Sequence, residues 1–286
     1  MKKWLTALFA LALVLLLAAC GGGATEEENN DSATNKTATE EPKTLVVGAT
    51  PTPHAEILEA AQPLLEEKGI ELKIEEFNDY VLPNQALDSE DIDANYFQHI
   101  PYLEGQIADN GYKFVNAGGV HIEPIGIYSQ RYKSLEDIPE NATVLFSNSV
   151  ADHGRVLALL EKEGLITLKD GVDKLNATTE DIAENPKNLE FKPDYAAELL
   201  PQIYNQDEGD LIVINSNFAI DNELNPLEDS IAIESGEGNP YVNVIAVRSG
   251  DEDREEIKAL LEVLNSQEIK DFLLEQYDGA VIPASK

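Results

Sequence analysis

From Thr44 onward the chain alternates short β-branched runs with stretches whose apolar residues recur every three or four positions, which confines it to sheets flanked by helices. Thr44 to Ala49 reads as a strand. Thr52 and Pro53 then offer a helix cap followed by proline at the first helical position. Ile57, Leu58, Ala61, Leu64 and Leu65 continue that helix, and Lys68-Gly69 closes it. The pattern goes on with a strand over Glu71 to Phe77, a short helix after Tyr80, the run Asp93 to Phe97, and a helix from Ile100 to Asp109. Two strands, Tyr112 to Asn116 and Val120 to Tyr128, close this first block.

A second block starts with a strand at Thr143 to Ser147 and a helix at Arg155 to Lys162, ended by Gly164. It continues with a strand at Leu189 to Lys192 and a helix from Ala196 to Tyr204. The apolar run Leu211 to Ile214 has the look of a buried parallel strand. Tyr241 to Val247 is a further strand, and two amphipathic helices follow, marked by Ile257, Leu260, Leu261 and Leu264, then by Ile269, Phe272 and Leu273. Two such blocks predict two α/β lobes with a cleft between them, and ligands of open α/β sheets collect at the carboxyl ends of strands.

The N-terminus sets the compartment. Lys2 and Lys3 precede an uncharged apolar run from Trp4 to Ala19, which meets Leu17-Ala18-Ala19-Cys20. A basic start, an apolar core and small residues before a cut describe a signal peptide. The run is shorter than the about 20 residues of a membrane span, although a plain anchor helix fits the same residues. The junction resembles the bacterial lipobox, which implies cleavage before Cys20 and a diacylglyceryl thioether on its sulfur. Two acyl chains anchor stably where one is marginal. Residues 1–19 are then the signal, and 20–43 a lipidated, acidic tether rich in Gly, Ala, Thr, Asn, Glu and Asp.

Composition removes several function classes. The chain carries 54 Asp+Glu against 20 Lys+Arg, a formal charge of −34, and so lacks the clustered cations that grip nucleic acid. Hydrophobic residues at 43% are enough to build cores. A single cysteine excludes a disulfide framework and a cysteine zinc site. No Gly-rich phosphate loop follows a strand, and Ala117-Gly118-Gly119 reads as a short strand connection. There is no Gly-x-Ser-x-Gly elbow and, with Cys20 lipidated, no cysteine nucleophile. Among so many acids no carboxylate pair can be singled out for acid-base work. The expectation is a non-enzyme without a cofactor.

Four histidines remain: His54, His99, His121 and His153. Imidazoles with a carboxylate could hold zinc or manganese, which makes a metal-capture lipoprotein the alternative function. His121-Ile122-Glu123 opens like a deaminase signature but lacks its Pro-Cys-x-x-Cys. Helix caps or hydrogen-bonded, partly buried positions account for His54, His121 and His153, so no metal site is assigned. His99 lies in Tyr96-Phe97-Gln98-His99-Ile100-Pro101-Tyr102, at a strand-to-helix junction facing the expected cleft. Those aromatics fit a cage around a ligand and fit an ordinary core equally well. Arg155 opens a helix after Ala151-Asp152-His153-Gly154, where a guanidinium suits a carboxylate held by two hydrogen bonds. A salt bridge to one of the many acids is the competing reading.

Several long motifs then resemble one family. They are Val47-Gly48-Ala49-Thr50-Pro51-Thr52-Pro53-His54-Ala55-Glu56, Phe77-Asn78-Asp79-Tyr80-Val81, Asp93-Ala94-Asn95-Tyr96-Phe97-Gln98-His99, Gly118-Gly119-Val120-His121-Ile122-Glu123-Pro124, Glu184-Asn185-Pro186-Lys187-Asn188-Leu189 and Pro240-Tyr241-Val242-Asn243-Val244. Together they resemble the NlpA family of methionine-binding lipoproteins, over essentially everything from Thr44 to Ala284. The resemblance implies a two-lobed, type II periplasmic-binding-protein-like fold that closes over an amino acid, L-methionine or a relative. It also implies an ABC permease and its ATPase as partners and a lipid-anchored place on the extracytoplasmic face of the membrane. Lobe 1 would be 44–127 plus 240–286, and lobe 2 128–239. Positions matching the family pocket are Tyr80, Phe97, His99, Tyr102, Arg155, Asn215 and Asn243. Arg155 would meet the α-carboxylate, Asn215 and Asn243 the head group, and the four rings the side chain. One stretch departs: the family usually reads Pro-Asn-Asp-Pro-Thr-Asn before Gly-Arg, whereas Asp152 here puts an acid where the amide stood. Asn215-Ser216-Asn217-Phe218 keeps its pattern with Phe for the usual Tyr.

Overall fold

In the computed structural model, residues 42–284 are described. Strand β1 (Lys43–Ala49) leads to α1 (Glu56–Glu66), β2 (Ile70–Glu76), α2 (Leu82–Asp88), β3 (Ala94–His99), α3 (Ile100–Asn110), β4 (Phe114–Ile122) and β5 (Gly126–Tyr128). Next come β6 (Thr143–Ser147), α4 (Val150–Lys162), β7 (Thr167–Leu168), β8 (Ile182–Glu184), β9 (Glu190–Tyr195), α5 (Leu200–Asn205), β10 (Leu211–Ile214), α6 (Ser216–Asp221) and β11 (Ala232–Ile233). The chain ends with β12 (Val242–Arg248), α7 (Glu255–Leu264), α8 (Gln267–Tyr277) and β13 (Ile282–Pro283).

These strands form two main sheets, each the centre of an α/β lobe. The first is ordered β13-β4-β12-β3-β1-β2, with β1 parallel to β2 and β3, and β12 antiparallel to β3 and β4. The second is ordered β11-β5-β10-β6-β9, with β6 parallel to both β9 and β10. β7 and β8 pair apart from both. Each sheet is buried by amphipathic helices. Ile57, Leu58, Ala61 and Leu65 of α1 join Ile257, Leu260 and Leu264 of α7 over the first sheet, and Val156, Leu157 and Leu160 of α4 cover the second. Burial of this kind, at ~25 cal/mol per Å² of apolar surface, is the main force holding each lobe. The chain passes between the sheets over residues 123–125 and again over 234–241, and the first acid of each crossing, Glu123 and Glu234, meets the same arginine. Among the described residues no helix is long and apolar enough to cross a membrane; Cys20 and residues 1–19 lie outside them.

Local chemistry shifts several boundaries read from sequence. β1 begins at Lys43, inside the stretch assigned to the tether, because that residue already pairs with Ile70. Thr52 is extended (φ −114°, ψ 133°) and caps no backbone N–H; its hydroxyl donates to Glu56 Oε1 at 2.8 Å. Ala117-Gly118-Gly119 is no strand connection but the middle of β4. A Cβ on Gly118 would meet Leu261 at 2.7 Å, and one on Gly119 would meet Val242 at 2.8 Å, so these glycines allow close packing rather than a turn. The helix expected to open at Arg155 begins at Val150, which puts Arg155 in its second turn, away from the N-terminal amides. Gly154 is helical too: a Cβ there would lie 2.2 Å from the Lys174 carbonyl oxygen.

Candidate ligand-binding site

All seven residues singled out above line one cavity between the two sheets. β3 supplies Phe97 and His99, while its neighbour Tyr96 is fully buried on the other side, against His121. Strand alternation thus takes Tyr96 out of the expected cage. The aromatic end of the cavity is Tyr80, Phe97 and Tyr102, with ring centroids 5.9 to 6.0 Å apart. Tyr80 also packs 4.9 Å from Phe218, and its hydroxyl donates to Asn217 Oδ1 at 2.6 Å, so the ring bridges the lobes. Tyr102 fixes it from behind by donating to the Tyr80 carbonyl at 2.8 Å.

The polar end begins with His99. It is the N-cap of α3, and its Nδ1 accepts from the Tyr102 backbone N–H at 3.1 Å. The proton therefore sits on Nε2, which donates across the cleft to Asp152 Oδ1 at 3.0 Å. Asp152 is 1% exposed, and its other oxygen accepts from Asn215 Nδ2 at 3.2 Å. Burial works to raise its carboxyl, but the His99 hydrogen bond, the Arg155 charge and the Asn215 hydrogen bond outweigh burial and hold it at about 2. Asn215, just ahead of α6, is 6% exposed, and its Oδ1 has no partner among the described residues.

Arg155 is 4% exposed and already engaged. Nη2 donates to the Glu123 carbonyl at 2.9 Å and to Glu234, and the guanidinium carbon lies 4.3 Å over the Tyr241 ring. The competing reading of Arg155, a salt bridge to an acid, thus holds for its Nε and Nη2 side, where both nitrogens face Glu234. Nη1 makes no hydrogen bond among the described residues and lies 3.8 Å from Asp152 Oδ1. Asn243, on β12, accepts at Oδ1 from His54 Nε2 at 3.1 Å, which leaves its Nδ2 as a donor.

Behind this wall, His54 and His121 meet on Glu123. Their Nε2 atoms lie 3.2 and 2.7 Å from its Oε1. Thr50 engages His54 Nδ1 at 2.8 Å, and Tyr96 engages His121 Nδ1. The three residues could in principle hold a metal ion, yet every imidazole nitrogen already has a hydrogen-bond partner, and a ligand nitrogen would have to give one up. Burial pushes His54 down to about 4. Glu123 is opposed by burial too, but His54, His121 and Arg155 hold its carboxyl low. His153 stands apart, on the Ser147 carbonyl at 3.0 Å, so the four histidines form no single centre.

Sequence reading missed Glu123, Ser216, Asn217 and Gln98 as cavity residues, and it left Glu234 out of the site. Glu123 sits two residues from His121 in a motif already quoted, and Asn217 two from Asn215, so both carried a signal. Glu234 carried none, because only the second crossing between sheets brings it to Arg155.

A family model described as NlpA lipoprotein matches residues 45–285. A relative from Bacillus subtilis (strain 168), named methionine-binding lipoprotein MetQ, is 55% identical over 254 residues, covering 88% of this chain and 92% of its own. One from Salmonella typhi, named D-methionine-binding lipoprotein MetQ, is 39% identical over 244 residues, covering 85% and 89%. Among solved structures, a nutrient binding protein from Burkholderia cenocepacia bound to methionine matches with a TM-score of 0.79 at 42% identity, covering 84% of this chain and 100% of its own.

Proposed function

The chain belongs to the NlpA lipoprotein family, and from that membership we propose that it is the substrate-binding lipoprotein of an ABC importer, capturing L-methionine or a closely related amino acid. The observation that carries this reading is the cavity's two ends: a buried arginine and two amides at one, three aromatic rings at the other. A zwitterionic head group needs both signs of partner, and a thioether gains roughly 0.3–1.5 kcal/mol from each aromatic contact.

In this reading Arg155 Nη1 and Asn243 Nδ2 meet the carboxylate, Asn215 the ammonium, and Tyr80, Phe97 and Tyr102 the side chain, with His99 at the junction. Because Gly126 and Ile127 of β5 pair within the second sheet, the lobe boundary falls before Gly126 rather than after residue 127: residues 43–122 with 242–284 move as one lobe and 126–233 as the other. Tyr80 to Asn217 and His99 to Asp152 are cross-lobe hydrogen bonds that favour the closed form, so apparent affinity scales with the closed population. Cys20 carries the lipid that holds the protein on the extracytoplasmic face, and the closed shape is what the permease reads. The protein binds and releases its ligand without transforming it.

Isothermal titration of L-methionine into protein unfolded, dialysed and refolded to strip carried-over ligand tests the substrate. Saturable one-to-one heat is expected. No heat with methionine, alongside tight binding of another amino acid or a dipeptide, would overturn the ligand and spare the class.

A further inference from the structure

Asp152 and Glu123 are the acids that line the cavity, and the hydrogen bonds around Asp152 have only one consistent direction. His99 Nδ1 is committed as an acceptor to the Tyr102 N–H, so Nε2 must donate to Asp152 Oδ1 at 3.0 Å. A carboxylate accepts only, so the Asn215 atom 3.2 Å from Asp152 Oδ2 must be its NH2 group. That choice turns Asn215 Oδ1 the other way. It is buried, has no partner among the described residues, and belongs to a residue lining the cavity.

We infer that Asp152 is a positioning residue that sets the polarity of the head-group seat, holding Asn215 with its carbonyl oxygen toward the ligand, so that the cavity selects α-amino acids with a free ammonium over their 2-oxo counterparts. The inference rests on the amino-acid reading of the cavity and adds to it a rule for which head group fits. An amide at 152 reverses the chain of donors. Its oxygen would take the His99 proton, its NH2 would face Asn215, and Asn215 would turn its own oxygen toward residue 152 and its NH2 into the cavity. One substitution, Asp152→Asn, thus exchanges an acceptor for a donor on the cavity side of Asn215.

The test compares L-methionine with 4-methylthio-2-oxobutanoate, which keeps the carboxylate and the thioether and replaces the ammonium by a carbonyl that can only accept. Wild-type protein is expected to favour methionine by at least ~100-fold, since an unmatched buried polar contact is costly. Asp152→Asn is expected to shrink that ratio by ~10-fold or more, by weakening methionine and strengthening the oxo acid. A merely structural role for Asp152 would weaken both compounds together and leave the ratio alone; that result, in a variant whose circular dichroism matches wild type, overturns the inference. Wild-type protein alone supplies a second decision: equal affinity for the two compounds also overturns it, whether or not the variant folds. Wild-type protein that binds neither compound sinks the amino-acid reading itself, an outcome distinct from a lost preference.

Discussion

Two buried clusters of histidine and carboxylate stand a few side chains apart, and they differ in what they leave open. His54, His121 and Glu123 use every imidazole nitrogen on a protein partner. His99, Asp152 and Asn215 close their chain of hydrogen bonds at one end only and leave Asn215 Oδ1 without a partner. Residue type alone gives both the look of a site. Whether a polar atom is left over separates a wall from a seat, because buried polar groups are normally paired and an unpaired one marks a place for something else.

The largest effect should come from breaking the closed cluster. His121→Leu leaves the Tyr96 hydroxyl without its partner and the buried Glu123 carboxylate with His54 in place of two imidazoles, and is expected to cost about 3 kcal/mol, read by urea unfolding. Because His121 does not line the cavity, methionine affinity in the folded fraction should stay within about threefold. A large affinity loss with little change in stability would reverse the roles assigned to the two clusters.

Acid tests the same cluster without a mutation. The unfolded chain protonates His54 near its ordinary 6.5, whereas the folded chain resists until about 4. The unfolded state therefore holds the extra proton between those values, and stability present above pH 6.5 falls as the pH drops toward 4, by about 3 kcal/mol. His54→Gln should flatten that profile between pH 6.5 and 4; an unchanged slope would assign the titration to another group.

The open cluster should respond in binding more than in folding. Arg155→Ala removes a charge-assisted donor facing the ligand and should weaken methionine by 10- to 100-fold, roughly 1.4 to 2.7 kcal/mol. It should also lower stability, since Glu234 and the Glu123 carbonyl lose their donor. Unchanged affinity would move the carboxylate partner elsewhere. The smallest effect belongs to the aromatic end. Tyr80→Phe deletes the cross-lobe bond to Asn217 and keeps the ring, at about 1 kcal/mol or fivefold in affinity, measurable as a faster ligand release.

Much of this was legible in the chain. Period-2 and period-3.6 patterns located most elements, since each sheet buries one face of its helices, and the motifs around Phe97, His99 and Asn243 marked one wall. Failures came where tertiary packing overrode local preference. Gly118 and Gly119 looked like a turn because glycine usually marks one, yet Leu261 and Val242 need their missing side chains. The first turn of α4 was hidden by Ser149, Asp152 and Gly154, residues that elsewhere end helices. Glu234 was invisible because no local pattern records that it crosses back to Arg155, 79 residues away. The departure at Asp152 was visible as a letter, but its effect on Asn215 needed the direction of each hydrogen bond.

The central claim is the polarity of the seat, and a crystal structure of the protein with L-methionine tests it most directly. The expected density lies between the sheets, with the carboxylate on Arg155 Nη1 and Asn243 Nδ2, the ammonium within 3.2 Å of Asn215 Oδ1, and the thioether among Tyr80, Phe97 and Tyr102. A ligand carboxylate placed against Asn215, or a ligand seated outside this cavity, would contradict the account.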